Sequence, residues 1–460
     1  MTKLAWDKLL SGVRRKDLHG DGEAMGTAAS RTEVERDYDR ILFATPTRRL
    51  ADKTQVYPME ENDSVRNRLT HSHEVSNLAR SIGIKLAFDH AKEVFGPEHE
   101  ALQVKRNVPA MLAAVGLAHD LGNPPFGHEG EAAIGHWFRR LQSNNPALSV
   151  QDDFLSFDGN AQTLRLLTRL QVLNDSFGLN LTCGTLAALI KYPAVYGGDI
   201  HGLGKHGIFQ SERDVAKEVW EQTGLSAGQR HPLTYVMEAC DDIAYSVIDA
   251  EDTVKKGYAS FYDLMDYLES HDSGDPVIRD VVNKSRKKNA EFKKGEISSR
   301  QLDDISMQMF RVKAIAEMVP AATEVFVDNI DSIMSGATDP GFELIKKSRC
   351  SALCKAAKKF DRRYGFQHRD VLKLELKGTH YISEMLTILW KAVSSQENEP
   401  DAYDRFVYGD ISENYRYVYE KSAKDDYARC QLVCDVVSGM TETYLVNRCN
   451  EYKALRHEIS

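Results

Sequence analysis

The chain has 460 residues, of which 42% are hydrophobic and 28% charged, and this composition excludes a disordered or fibrous protein. No apolar run approaches the roughly 18 residues of a membrane-spanning helix, and residues 1–17 lack the apolar core and cleavage site of a secretory signal. The net charge of −9 argues against nucleic acid as the main ligand, although it leaves room for a local basic patch.

The seven cysteines are scattered and form no CxxC pair. Two pairs, Cys350/Cys354 and Cys430/Cys434, have the spacing of one helical turn, which favours core packing over a zinc site. An odd number of cysteines without a secretory signal indicates reduced thiols, so we expect a cytoplasmic protein.

Helical patterns dominate the chain, and alternating strand-like runs are few. The spacing of apolar residues predicts helices over residues 33–50, with a break at Thr45-Pro46, and over 70–88, 109–121, 161–173, 184–191 and 232–255. Pro109 and Pro232 stand at the predicted starts of their helices. Because these patterns account for most of the chain, we predict an all-α fold.

The sequence also predicts how the chain is organised. We expect a helical segment over residues 1–65 that contributes to the functional site, a core over 66–260, and an integrated helical C-terminal region over 261–460. The stretch 270–303 is rich in Lys, Arg, Ser and Asp. We expect it to be a mobile or solvated excursion rather than part of the core.

The sequence AHDLGNPPFGHEGE over residues 118–131 is the strongest local feature. His119 and Asp120 end a helix that is otherwise apolar, and burying both without partners costs several kcal/mol. A metal ion would supply the missing partner. The alternative for an isolated His-Asp pair is a salt bridge or a cap at a helix end.

Two other regions strengthen the interpretation as a metal site. His71 begins the apolar stripe of the helix predicted over 70–88, where a single histidine is otherwise a hydrogen-bonded core residue. Asp241, Tyr245 and Asp249 are spaced by four and therefore line one helix face, for which the alternative is an exposed polar stripe. The prolines and glycine of residues 124–127 make a rigid turn that can aim the residues after it.

The order His…His-Asp…Asp resembles the ligand pattern of the HD phosphohydrolase superfamily. Two imidazoles and two carboxylates suit Mn, Fe, Co, Ni, Zn or Mg, with positions left for water and a phosphate oxygen. Several runs are similar to the deoxyguanosinetriphosphate triphosphohydrolase family within it: RLADKTQVYP (49–58), RLTHSHEV (68–75), AHDLGNPPFGHEGE (118–131), FDGNAQTLR (157–165), LAALIKYP (186–193), RHPLTYVMEACDDIAYSVIDAEDTV (230–254) and SGMTETY (438–444). The resemblance covers residues 31 to 255 well and is weaker beyond 370. Asn123 stands where many members have His.

This resemblance implies an HD-domain helical fold and a set of site residues. The implied ligands of the metal, Mn²⁺ or Mg²⁺, are His71, His119, Asp120 and Asp241. The implied catalytic pair is His128, which acts on the scissile phosphoester, and Glu131, which orients it.

The implied substrate contacts fall into groups. They are Gln55, Val56, Tyr245 and Asp249 at the sugar, Arg68, Asn160, Lys191, Tyr192 and Lys205 at the phosphates, and Glu375 and Arg405 at the base or a phosphate. Taken one at a time, Lys191 and Lys205 are equally typical of solvated lysines. A triphosphate does, however, need cationic side chains in addition to the metal.

The implied reaction converts a deoxynucleoside triphosphate, preferably dGTP, and water into a deoxynucleoside and triphosphate. The resemblance also implies a homo-oligomer, such as a hexamer, and single-stranded DNA as a secondary ligand. One alternative is a broad-specificity dNTP triphosphohydrolase. Others are an HD enzyme acting on monophosphates, cyclic nucleotides or guanosine tetraphosphate, and a nucleotide or single-stranded DNA binding protein with an inactive site.

Overall fold

The computed structural model describes residues 3–20, 30–60, 62, 64–171, 175–271, 274–397 and 399–459. These residues form an all-α fold, as the sequence predicts. They contain no β-strand and only isolated bridge pairs, which join Arg14 to Thr182, Thr54 to Asn67 and Val195 to Ile208. A search of the described helices finds none with the length and apolar character needed to cross a membrane.

The N-terminal half contains most of the predicted helices. Its α-helices are α1 (Trp6–Leu9), α2 (Arg15–Leu18), α3 (Glu33–Phe43), α4 (Thr45–Arg49), α5 (Arg68–Asp89), α6 (Ala91–Phe95), α7 (Val104–Ala118), α8 (Gly127–Asn144), α9 (Asp152–Leu155), α10 (Gly159–Arg165), α11 (Cys183–Leu189), α12 (Arg213–Thr223), α13 (Pro232–Ile243) and α14 (Asp249–Lys255). Short 3₁₀ turns cover Leu50–Asp52 and Gln210–Glu212.

The C-terminal half is equally helical. Its α-helices are α15 (Phe261–Ser270), α16 (Pro276–Phe292), α17 (Ser299–Asp328), α18 (Ile330–Ser335), α19 (Leu344–Lys347), α20 (Ser351–Asp361), α21 (Arg369–Ser395), α22 (Ala402–Asp410), α23 (Glu413–Glu420), α24 (Asp426–Gly439) and α25 (Glu442–Ile459). π-Helical turns cover Leu166–Leu170, Ala244–Ile248 and Arg362–Phe366.

Helices α5 and α7 pack closely enough to bring their histidines together. A Cβ atom at Gly116 would lie 2.7 Å from Cα of Ser76, so only glycine allows this approach of the two backbones. The Ser76 hydroxyl donates to the Ala113 carbonyl at 2.8 Å and joins the helices at the same level. His71 begins the buried stripe of α5, and His119 directly follows the last residue of α7.

The predicted helix over 232–255 forms as α13, a π-helical turn and α14 in succession. A π-helical turn adds a residue to the helix and changes the register of the side chains that follow. The predicted helix over 161–173 likewise forms as α10 and a π-helical turn that ends at Leu170, and residues 172 and 173 lie outside the described part of the chain.

One continuous apolar core contains residues from Leu4 to Tyr452. A small separate cluster consists of Val56, Tyr57, Val65 and Val371. Because both clusters join the two halves of the chain, the C-terminal helices share the core with the N-terminal ones. The domain boundaries near residues 65 and 260 stay predictions.

Two details of the sequence analysis are wrong. Helix α7 begins at Val104, so Pro109 lies inside it rather than at its start. The helical part of the stretch 270–303 belongs to the core and is not a solvated excursion, because α16 buries Val277, Ile278, Val281 and Val282 there. The composition of this stretch predicted solvation because it is rich in charged side chains, but these occupy only the outer face of an amphipathic helix.

All seven cysteines are free and buried, as the interpretation of core packing predicts.

Candidate metal centre and active site

The buried His71 and His119 and the partly buried Asp241 form a group that can hold a metal ion, because one ligand atom from each lies within 4.8 Å of the others. Nε2 of His71 lies 3.3 Å from Oδ1 of Asp241, and Nε2 of His119 lies 3.6 Å from the same oxygen. Helices α5 and α13 supply His71 and Asp241, and His119 directly follows α7, so the packing of these helices sets the geometry of the group.

The imidazole of His119 has the orientation of a metal ligand. Its Nδ1 lies 2.8 Å from the Gly116 carbonyl, to which it must donate, so the lone pair of Nε2 faces the carboxylates. Within the described part of the chain, that buried Nε2 atom has no hydrogen-bond partner. Burial would lower the pKa of His119, but Asp120 and Asp241 raise it to about 9. The Nε2 atom beside these carboxylates therefore binds a cation, which is a proton when the metal is absent, and a divalent metal fits the same donor set.

Asp120 lies beside the group and completes its charge. Its Oδ2 is 3.4 Å from Nε2 of His119 and 3.9 Å from Nε2 of His71, and it accepts from the guanidinium of Arg68. Its other oxygen accepts from the side-chain amide of Asn123 at 2.7 Å. Burial would raise the pKa of Asp120, but the charges of His119 and Arg68 lower it to about 2. The carboxylate is thus held ionised next to the three-residue group.

Cationic side chains surround Tyr192 next to Asp241. Nζ of Lys191 lies 4.0 Å from Oδ2 of Asp241, and the charges of Lys191, Lys205 and Arg230 lie 5.8, 6.0 and 5.9 Å from the centre of the Tyr192 ring. Such a concentration of positive charge in a chain of net charge −9 suits an anionic ligand.

His128 and Glu131 form a pair in the first turn of α8. Nδ1 of His128 lies 2.9 Å from Oε2 of Glu131, and Oε1 of Glu131 accepts from the backbone amide of Gly159 at 2.7 Å. The His128 side chain is 84% exposed, so the ring is held on one side and open on the other. A Cβ atom at Gly159 would lie 2.0 Å from Oδ1 of Asn123, so this glycine lets the pair approach the Asp120 loop.

Asn160 and Lys205 meet at Asp158, beside the same pair. The side-chain amide of Asn160 donates to Oδ1 of Asp158 at 2.7 Å, and Nζ of Lys205 lies 2.8 Å from its Oδ2. Since Asn160 directly follows Gly159, the contact joins these polar side chains to Glu131.

Tyr245 and Asp249 lie further along the same helical segment as Asp241. The Tyr245 ring stacks on Phe366 with 5.8 Å between centroids. Asp249 is buried, its Oδ2 has no hydrogen-bond partner, and burial raises its pKa well above the usual range. Asp361 at the end of α20 is also buried, and neither of its oxygens has a hydrogen-bond partner among the described residues. Burial and the charge of Asp249 raise the pKa of Asp361 well above the usual range.

The sugar-contact candidates Gln55 and Val56 occupy the segment between the 3₁₀ turn and α5. Val56 is buried in the small cluster with Tyr57, and Oε1 of Gln55 is buried without a hydrogen-bond partner. The Tyr57 hydroxyl lies 2.8 Å from that of Thr253 in α14, which joins this segment to the Asp249 region.

The two C-terminal candidates differ in position. Glu375 in α21 lies near Glu129, whose charge adds to burial in raising the pKa of Glu375, so it approaches the His128 helix. Arg405 is exposed in α22, and its guanidinium donates to the Pro400 carbonyl. The contacts of Arg405 within one chain therefore do not join it to the metal group, and its role stays a prediction.

Five residues that contact or support this region were not predicted from the sequence: Lys53, Lys358, Asp361, Phe366 and Glu442. Lys358 pairs with Asp242, and its Nζ lies 5.2 Å from the centre of the Tyr245 ring. Lys53 and Glu442 belong to family-like runs (49–58 and 438–444), and that membership was a usable signal. The other three fall in the C-terminal half where the resemblance is weak, so only their contacts reveal them.

Comparison with known proteins gives a consistent set of relatives. The chain is 35% identical over 465 aligned positions to a deoxyguanosinetriphosphate triphosphohydrolase-like protein of Listeria monocytogenes, covering 96% of this chain and 97% of that protein. It is 33% identical to a protein of the same name from Synechocystis, covering 95% and 97%. It is 32% identical to the deoxyguanosinetriphosphate triphosphohydrolase of Klebsiella pneumoniae, covering 92% and 93%. No protein-family model matches the chain.

Proposed function

Since the chain belongs to the deoxyguanosinetriphosphate triphosphohydrolase family, we propose that it is a metal-dependent triphosphohydrolase of deoxynucleoside triphosphates that prefers dGTP. Water would attack the α-phosphorus, so that dGTP gives deoxyguanosine and inorganic triphosphate. The observation that carries the proposal is the buried group of His71, His119 and Asp241 next to the cations Arg68 and Lys191.

His71, His119, Asp120 and Asp241 are the residues that would hold the metal, Mn²⁺ or Mg²⁺. The unpartnered Nε2 of His119 and the ionised carboxylates around it support this assignment. When bound, the metal supplies a positive charge that polarises a phosphoryl oxygen and lowers the pKa of a water molecule.

In this proposal, His128 donates the proton that the leaving group takes up. Its hydrogen bond to Glu131 raises the pKa of His128, which favours the imidazolium, and leaves Nε2 on the open side of the ring. That atom can give a proton to the departing 5′-oxygen, as a general acid does. Glu131, held by the Gly159 amide, fixes the direction in which the ring points.

Cationic and polar side chains bind the rest of the substrate. Arg68, Lys191 and Lys205, with Asn160 and Tyr192, neutralise and orient the triphosphate, which stabilises the charge that develops on it. Gln55, Val56, Tyr245 and Asp249 bind the deoxyribose, and the unpartnered oxygen of Asp249 supports its role at the 3′-hydroxyl. Glu375 and Arg405 remain predictions for the base or a phosphate.

The proposal also includes the oligomeric state of the protein, a secondary ligand and its location in the cell. A homo-oligomer, such as a hexamer, single-stranded DNA as a secondary ligand, and a cytoplasmic location are the predictions that go with this family.

Hydrolysis of the four dNTPs, each with Mn²⁺ or Mg²⁺ and with chromatographic analysis of the products, tests the proposal. We expect inorganic triphosphate and a deoxynucleoside, fastest from dGTP, and no turnover after chelation of the metal. Equal rates with all four dNTPs would replace dGTP preference by broad specificity. Pyrophosphate or monophosphate as the main product, or no turnover at all, would refute triphosphohydrolase activity.

A further inference from the structure

The carboxylate of Glu442, at the start of α25, accepts hydrogen bonds from three backbone amides in two distant segments. Oε1 accepts from Thr54 at 2.7 Å and from Phe126 at 3.0 Å, and Oε2 accepts from Met59 at 3.1 Å. Glu442 is 1% exposed. A buried carboxylate with three N–H donors is a strong local constraint, because each charge-assisted bond is about twice as strong as a neutral one.

Neighbouring contacts join the same three segments. The ammonium of Lys53 donates to the carbonyls of Asn123 at 2.6 Å and Ser438 at 2.7 Å. The carboxylate of Asp52 accepts from the amide and hydroxyl of Thr443. The Glu442 carboxylate accepts from backbone amides, and the Lys53 ammonium donates to backbone carbonyls. Together they join the segments around residues 53, 125 and 440.

The first of these amides belongs to Thr54, which is connected to Asp120 through Arg68. The Thr54 carbonyl accepts from Nε of Arg68 at 3.0 Å, and the guanidinium of Arg68 in turn donates to Asp120. Thr54 directly precedes Gln55 and Val56, and Met59 lies just beyond them. Glu442 thus holds both ends of the proposed sugar-contact segment.

The amide of Phe126 lies just before α8, the helix that contains His128. Phe126 has a positive φ of 63°, which is unusual for a side chain of this size, and it immediately precedes α8. The hydrogen bond to Glu442 stabilises this conformation and so sets where His128, two residues later, enters the site.

We propose that Glu442 is a positioning residue of this hydrolase, which keeps His128 in register with the sugar-contact segment by holding both through their backbone amides. This inference rests on the proposed function. Its chemical reason is that proton transfer to the 5′-oxygen requires a fixed distance between the imidazole and the bound nucleoside, and misplacement by 1 Å costs about a hundredfold in rate.

Steady-state kinetics of Glu442→Gln and Glu442→Ala test the proposal. Glutamine keeps one carbonyl oxygen for the Thr54 and Phe126 amides, but its NH₂ group cannot accept from Met59, whereas alanine removes all three acceptors. We expect kcat to fall about tenfold with glutamine and about a hundredfold with alanine, with a smaller change in KM and with metal content unchanged. Glu451→Gln, an exposed change in the same helix, is the matched control.

A double-mutant cycle with His128→Ala separates positioning from a general loss of structure. If Glu442 acts through His128, then Glu442→Gln should lower kcat far less in the His128→Ala background than in the wild type. Equal fold losses in both backgrounds, or an unchanged kcat in Glu442→Gln, would overturn the proposal.

Hydrogen exchange gives a readout that does not depend on activity. Peptides covering residues 53–60 and 123–128 should exchange faster in the folded Glu442→Gln protein, and unchanged exchange would contradict the hydrogen bonds on which the inference rests. Wild-type turnover in the kinetic assay separates the proposed function from the proposed role of Glu442. An inactive wild type would refute the proposed function. An active wild type with Glu442 variants of unchanged kcat would refute only the role of Glu442.

Discussion

His119 and Asp241 contribute to the metal group through single atoms, so each can be tested by truncation. We expect His119→Ala and Asp241→Ala to lose bound metal together with activity, because each removes one of the proposed ligands. Metal analysis of the purified variants measures the stoichiometry directly. His73→Ala, which changes an exposed histidine of α5, should keep full metal content.

A variant of His119 or Asp241 that keeps full metal content would remove that residue from the ligand set. Loss of metal in the His73→Ala control would indicate that α5 itself is too sensitive for this comparison.

His128 is tested by a change that leaves the metal group intact. The ring is exposed and is hydrogen-bonded to Glu131, which is not a proposed ligand, so we expect His128→Ala to keep its metal and to bind dNTP with a similar Kd. Turnover should fall by about 10²–10⁴-fold, the usual contribution of a general acid or base. Calorimetric binding and single-turnover hydrolysis measure the two effects separately.

His136→Ala, an exposed change in the same helix, should retain wild-type turnover. A His128→Ala protein that turns over at the wild-type rate would refute its catalytic role, and loss of its metal would make it a ligand.

At the scale of helices, His231 joins α13 to the N-terminal segment. It is fully buried, its Nδ1 accepts from the Leu233 amide at the start of α13, and its Nε2 lies 3.1 Å from the Leu9 carbonyl. The contact with Leu233 requires the neutral imidazole, whose proton is then on Nε2 and is donated to Leu9, and burial lowers the pKa of His231 from 6.5 to about 4. Because α13 supplies Asp241, this contact also supports the metal group.

The depressed pKa predicts a loss of stability in acid. Below pH 6.5 the unfolded chain takes up a proton at His231 that the folded chain refuses until about pH 4. The stabilisation is therefore complete above pH 6.5 and decreases as the pH falls from 6.5 to 4, by about 3 kcal/mol in total. The free energy of unfolding in urea at several pH values measures it.

His231→Asn keeps an oxygen for the helix cap and cannot take up this proton, so it should show a shallower pH dependence than the wild type in this window. His136→Asn is the exposed control. Parallel curves for wild type and His231→Asn would show that His231 does not titrate with folding.

Across the whole molecule, Arg165 at the end of α10 connects this helix to α24. Its guanidinium donates to both oxygens of Asp435 and to Oε1 of Glu212 at 2.7–3.0 Å, and all three residues are buried. The pair spans 270 residues of sequence, so it contributes to joining the two halves in one core.

We expect Arg165→Met to lower the free energy of unfolding by about 3–5 kcal/mol, because it keeps the apolar volume and leaves two buried carboxylates without their cationic partner. Urea denaturation measures the change. Arg286→Met, which breaks more exposed ion pairs with Asp266 and Glu269, should cost about 1 kcal/mol or less. Equal small losses in both variants would contradict the importance of the Arg165 network.

Local patterns in the sequence predicted six helical segments and the polar positions within them, and the resemblance to a known family joined those positions into one group. The apolar stripe headed by His71, the polar end of the α7 helix and the four-residue spacing from Asp241 each depend on periodicity within one helix, and the structure confirms their convergence for His71, His119 and Asp241. Composition failed over 270–303, where the buried positions of α16 are spread among many charges.

Only the tertiary structure could decide which distant segments meet. The contacts of Glu442 with Thr54 and Phe126 join residues that are 388 and 316 positions apart, and no periodicity within a helix encodes such a pairing. The same holds for Oδ2 of Asp249 and the two carboxyl oxygens of Asp361, which have no hydrogen-bond partner among the described residues, because a missing partner is a property of the packed surroundings. Local spacing determines which face of a helix is apolar, whereas the packing of helices against one another determines what each polar side chain finds there.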